Sequence, residues 1–134
     1  MTKVLFVCVA NGGRSVLAER IFTALVGGRH QARSAGSEPG PRVHPVVVEA
    51  LAEIGLDASD HVPRKLDAEA IQWSDLIVST CSEEACPVTY GRPRLRWELP
   101  DPKNLPLAQV SALREDIRRY VEELVAELDM PATG

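Results

Sequence analysis

No apolar run in the chain approaches the roughly eighteen residues of a membrane span. Met1-Thr2-Lys3 leads straight into an apolar stretch with no small-residue cleavage site. A cytoplasmic protein without membrane contact is expected. Basic charge is also in short supply, since 15 Lys and Arg against 19 Asp and Glu leave a net charge of -4. That balance excludes a global attraction to nucleic acid, so any anionic ligand must be held by local groups. Cysteine is scarce: Cys8, Cys81 and Cys86 make three. An odd count cannot close into a disulfide framework, and a reducing compartment argues against a structural bridge. No second Cys/His pair stands at ligand spacing, so no metal is expected. Repeats, low-complexity tracts and linkers are absent too. The 134 residues therefore read as a single domain, 1–134, large enough to bury one core without staples.

What is present alternates between two periods. Val4-Leu-Phe-Val-Cys-Val9 is a continuous β-branched and apolar run, the pattern of a parallel strand buried on both faces. Behind Asn11-Gly12-Gly13, the apolar residues Val16, Leu17, Ile21, Phe22, Ala24 and Leu25 recur at helical spacing until Gly27-Gly28. Gln31 to Ala35 reads as a short strand followed by a Pro/Gly-rich loop, and Pro45 opens a helix that Gly55 ends. Asp67 to Trp73 reads as a short helix, Leu76 to Thr80 as a buried strand, and Arg94 to Trp97 as an edge strand. Apolar spacing from Val110 to Leu128 marks a long amphipathic helix. The prediction is an α/β fold of three layers, a four-stranded parallel sheet flanked by helices. In such sheets ligands bind beyond the carboxyl ends of the strands, which directs attention to the residues after Val9, Thr80 and Trp97.

At the first of these ends stands Cys8-Val9-Ala10-Asn11-Gly12-Gly13-Arg14-Ser15. A thiol at a strand terminus, a glycine-rich loop and an arginine opening a helix together suit a tetrahedral oxyanion. Loop N–H groups cradle its oxygens, the helix N-terminus adds positive charge, and Arg14 supplies a two-pronged contact. The same field favours thiolate over thiol and makes Cys8 a candidate nucleophile, with Ser15 donating to the sulfur and Asn11 bracing the loop. Cys81 follows the third strand. If the first and third strands are neighbours, their ends lie about 4.8 Å apart and Cys81 can approach Cys8. Cys86 stands five residues further on, where a regular helix would point it away from Cys81, so a bond between them requires that segment to loop or unwind. Buried small residues are the bland alternative for this pair. At the last strand end, Asp101 on a proline-stiffened loop is a candidate proton donor to a departing oxygen. His44 and His61 flank the same edge, where a surface or hydrogen-bonded histidine is the commoner outcome.

The Cys8-x5-Arg14-Ser15 loop and the late Asp101-Pro102 resemble the low-molecular-weight protein tyrosine phosphatase fold. Cys81, Cys86, Ser34-Ala-Gly-Ser-Glu38 and Trp97 ahead of Asp-Pro resemble more specifically its thioredoxin-coupled arsenate reductase branch. The resemblance runs from Lys3 to about Leu128. It implies arsenate as substrate, with phosphate or sulfate as analogues, bound by Val9, Ala10, Asn11, Gly12, Gly13 and Arg14. It further implies attack by Cys8, proton donation by Asp101, a Cys8–Cys81 disulfide, and transfer of the oxidation to Cys81–Cys86, which thioredoxin reduces. No cofactor is implied, and a monomer is expected. Two departures bear on this. The cysteine pair is more closely spaced than in some thioredoxin-coupled members, which leaves a mycothiol and redoxin route open. Potassium-stimulated members carry an acidic residue where this chain has Arg64, although Asn11, Glu19 and Ser34 match the other cation ligands, so no potassium requirement is expected. A tyrosine phosphatase, or an oxyanion-binding thiol sensor without turnover, are the competing readings. The first leaves Cys81 and Cys86 without a task.

Overall fold

The computed structural model describes residues 1–80 and 94–130. Its elements run β1 (Lys3–Cys8), α1 (Arg14–Val26), β2 (Gln31–Gly36), α2 (Pro45–Ala52), α3 (Ala68–Trp73), β3 (Leu76–Ser79), β4 (Arg94–Arg96) and α4 (Leu107–Leu128). The sheet is parallel throughout with strand order β2-β1-β3-β4. Cys81 and Cys86 lie outside the described residues.

The apolar run of β1 follows from its central place. Successive side chains point to opposite faces, so Val4 and Phe6 join Val78 against α1, α2 and α4. Leu5 and Val7 join Ile77 against Ala70 and Ile71 of α3. Helices thus cover both faces, as the three-layer reading expects. Phe6 sits at the middle of the larger core, 5.6 Å from the Phe22 ring and 5.9 Å from Trp97.

The local signals for the helix ends act as their chemistry requires. Gly27 closes α1 in the left-handed conformation at φ 54°, which costs glycine nothing. Pro45 occupies the first turn of α2, where its missing N–H is no loss. Asp67 caps α3 by accepting the Ala70 N–H at 2.9 Å. α4 begins at Leu107, a turn earlier than the spacing from Val110 predicts. Its first turn faces solvent at Ala108 and Gln109, so apolar periodicity does not report it.

After β1 the chain passes to β2 on one side, and later returns to β3 on the other. The two paths part at the carboxyl end of β1, which is the switch point where an open parallel sheet presents a crevice.

Candidate active site

The loop from Cys8 to Arg14 is shaped from outside by the segment that follows β2. Backbone N–H groups of Ser37, Glu38, Gly40 and His44 donate to the carbonyls of Cys8, Val9, Ala10 and Gly12 at 2.8–3.1 Å. Those four bonds hold the loop from outside through its carbonyls rather than through its own N–H groups. Gly36 makes this docking possible, because a Cβ there would lie 2.4 Å from the Val9 carbonyl oxygen and 2.8 Å from the Asn11 nitrogen. Gly13 does the same on the far side, where a Cβ would meet Cγ of Pro102 at 2.6 Å.

Two donors converge on the buried Cys8 sulfur. The Asn11 N–H lies 3.1 Å from Sγ, and the Ser15 hydroxyl 2.9 Å. The direction of the second bond follows from its neighbour: the Asn11 side-chain NH2 donates to Ser15 Oγ at 2.9 Å, which leaves the Ser15 proton for the sulfur. Asn11 itself stands at φ 50°, and its Oδ1 accepts from the Arg64 N–H at 2.9 Å and from His61 Nε2 at 3.0 Å. Oδ1 has no proton to give, so His61 carries its proton on Nε2. Its Nδ1 then accepts from Arg20 Nη2, 3.5 Å away. Burial first, then Arg20 and Arg64, hold the His61 imidazole below its ordinary pKa. A chain of oriented donors therefore runs from Arg20 through His61, Asn11 and Ser15 to the nucleophile.

Arg14 is buried at the first turn of α1, and its Nη1 donates to the Leu99 carbonyl at 3.1 Å. This bond ties the anion-binding arginine to the loop that carries Asp101. Asp101 is exposed, with Oδ1 accepting the Lys103 N–H at 2.9 Å. Cys8, Val9, Ala10, Gly13, Arg14, Asp101, Lys103, Arg42 and His44 line one cleft of about 460 Å³, a size within the range of small-molecule sites. Of the site residues read from the sequence, Cys8, Arg14 and Asp101 are thus brought together around one cavity. Ser15 and Asn11 are the supports beneath it.

A sequence model described as low molecular weight phosphotyrosine protein phosphatase matches residues 3–132. The chain belongs to this family. Within the low-molecular-weight phosphatase family it is similar to an arsenate reductase of Staphylococcus aureus, 31% identical over 127 residues that cover 91% of this chain and 96% of that one. Among solved structures, a thioredoxin-dependent arsenate reductase of Corynebacterium glutamicum is 33% identical with a TM-score of 0.80. That match covers 95% of this chain and 61% of the other. An arsenate reductase in the phosphate binding state is 29% identical with a TM-score of 0.85, over 95% of this chain and 98% of that one.

The positions that match cation ligands in potassium-stimulated members of the low-molecular-weight phosphatase family are otherwise engaged here. Asn11 Oδ1 already accepts two N–H groups. Glu19 meets Arg20 Nε at 3.1 Å and the Ser34 hydroxyl at 3.4 Å. Burial pushes the Glu19 carboxyl above its ordinary range, while Arg20, Ser34 and Arg64 pull it back. With Glu19 paired to the Arg20 guanidinium and Asn11 Oδ1 already accepting two N–H groups, these residues do not fit a cation. The contributions of Arg20 and of the Leu99 carbonyl leave no mark in the residue spacing. His44, expected as a surface or hydrogen-bonded histidine, is half-buried and lines the cleft.

Proposed function

We propose that this chain reduces arsenate to arsenite by a relay of three thiols, with thioredoxin as the reductant. The observation that carries the reading is the junction of β1 and β3 beneath the oxyanion cleft. Thr80, the residue ahead of Cys81, donates its N–H and its hydroxyl to the carbonyl of Val7, the residue ahead of Cys8, at 2.9 and 2.8 Å. Thr80 and Val7 are therefore held side by side, which supports this reading in a protein whose relatives include arsenate reductases.

In this mechanism the Cys8 thiolate attacks arsenic while Arg14 and the loop N–H groups offset the charge on the equatorial oxygens. One arsenic–oxygen bond breaks, and the leaving hydroxyl takes a proton from Asp101 to depart as water. The Cys81 thiolate then attacks the Cys8 sulfur. The sulfur–arsenic bond breaks with its electron pair left on arsenic, so arsenic falls from the pentavalent to the trivalent state as two thiols become one disulfide. Cys86 next attacks Cys81, Cys8 leaves as a thiolate, and a thioredoxin dithiol reduces the Cys81–Cys86 bond. Cys81 and Cys86 hold these roles by the family resemblance. A single monomeric domain acting in the cytoplasm completes the proposal, and no helix among the described residues is long and apolar enough to cross a membrane. The shared cleft also supports a weak phosphatase activity.

The test counts arsenite released per reduced chain and maps disulfides by mass spectrometry. More than one arsenite per chain is expected only with thioredoxin and its reductase present. Turnover that survives both Cys81→Ser and Cys86→Ser would exclude the relay.

A further inference from the structure

The mechanism leaves His44 without a task, although it stands at the mouth of the cleft. As the residue preceding α2 it is held by its backbone N–H to the Gly12 carbonyl at 2.9 Å. Its ring rests on the two loop glycines: a Cβ on Gly12 would lie 3.5 Å from Cε1 and Nε2, and one on Gly13 would lie 3.3 Å from Cδ2. A Cβ on Gly13 would press on the ring, whereas one on Gly12 would only touch it; the imidazole shares its cavity with Cys8, Arg14 and Asp101. No described residue makes a hydrogen bond to its ring nitrogens. The charged groups around it are Asp101 and Lys103 from the loop ahead of α4, Arg14 from α1, and Arg42 two residues before it. Burial is the main cause that holds the ring below its ordinary pKa; Asp101 opposes this, and Lys103 and Arg14 reinforce it.

The cleft is rich in donors: loop N–H groups, Arg14, Arg42 and Lys103. Acceptors are few. A hydrogen arsenate or hydrogen phosphate dianion carries one O–H at neutral pH and needs an acceptor for it, whereas sulfate carries none. Asp101 is assigned to the leaving oxygen, and one of its oxygens already accepts the Lys103 backbone N–H. A neutral imidazole has one lone pair free.

We propose that His44 is a specificity-determining residue, whose ring accepts the O–H of a hydrogen oxyanion and so selects arsenate and phosphate over sulfate. A site that pairs with a ligand hydroxyl rejects the analogue lacking it, because its own polar group is then left unmatched. The proposal rests on the oxyanion reading of the Cys8 cleft and not on the thiol relay.

Calorimetric titration of reduced protein with inorganic phosphate and with sulfate at pH 7.5 tests it, using wild type, His44→Phe and His44→Gln. Loss of one hydrogen bond to a charged ligand predicts that His44→Phe weakens phosphate binding about tenfold, with sulfate changed less than about twofold. His44→Gln, which keeps an acceptor, restores most of the preference. In turnover, His44→Phe raises KM for arsenate by about the same factor and leaves kcat within about threefold. Equal losses for both anions, or no loss for either, would overturn the proposal. Wild-type protein that forms arsenite while His44→Phe leaves the preference unmoved sinks this proposal alone. A His44-dependent preference in protein that forms no arsenite sinks the arsenate reading instead.

Discussion

Ser15 is the most direct support of the nucleophile, because its hydroxyl proton has only the Cys8 sulfur to go to once Asn11 occupies its oxygen. A hydrogen bond to a charged acceptor contributes about 1.5–3 kcal/mol. Ser15→Ala is therefore expected to slow alkylation of Cys8 by iodoacetamide at pH 7 by about ten- to a hundredfold, and unchanged alkylation would remove Ser15 from the thiolate's support. Potassium belongs to the same scale. With Glu19 paired to Arg20 and Asn11 Oδ1 filled, exchange of sodium for potassium should leave turnover unaltered. A several-fold rise on that exchange would show that a cation finds a place beside Arg64 after all.

Among the elements, the loop and the segment after β2 act as one unit. Gly36→Ala would drive a Cβ into the Val9 carbonyl, 2.4 Å away, and backbone cannot yield as a flexible side chain does. Overpacking of this kind costs about 1–3 kcal/mol, and here the displaced atoms carry the anion-binding amides. Lost phosphate binding with the fold retained by circular dichroism is the expected outcome; wild-type affinity would mean that the loop can relax around the new methyl group.

The order and type of the elements were legible because each announces itself locally. A doubly buried strand is apolar throughout, helices repeat their apolar positions, and glycine or proline marks their ends. Cys8, Arg14 and Asp101 were legible because they follow strand ends. His44 and His61 could be placed at the same edge, but the seat of His44 on the loop and the Arg20–His61–Asn11 chain could not be read, since they join residues far apart in sequence, 50 positions in the case of His61 and Asn11, and no period records such a meeting. The first turn of α4 was missed because it buries little.

At the scale of the whole molecule, chemistry and fastening occupy opposite ends of the sheet. Cys8 terminates β1, while at the strand's beginning, about 20 Å away by the rise of a six-residue strand, the chain is clasped. The Thr2 N–H donates to His30 Nδ1 at 3.0 Å, His30 Nε2 meets Asp129 at 2.8 Å, and Arg29 meets the other oxygen of Asp129 at 2.8 Å. One carboxylate thus joins the entry to β1, the turn after α1 and the end of α4. His30 and then Arg29 hold the Asp129 carboxyl below its ordinary value of 3.8. A carboxyl depressed in the folded state adds stability that is fully present above the unfolded value and is lost as pH falls through the folded one. Asp129→Asn should therefore lower Tm at pH 7, and the gap from wild type should close as the solution is acidified below about 3.8. Because the clasp lies at the end of the strands remote from Cys8, arsenate turnover at moderate temperature should be the same in both proteins. A variant whose turnover fell while its Tm held would show that the two ends are mechanically coupled through β1. A Tm gap that persisted at low pH would assign the loss to packing at Asp129 rather than to its charge.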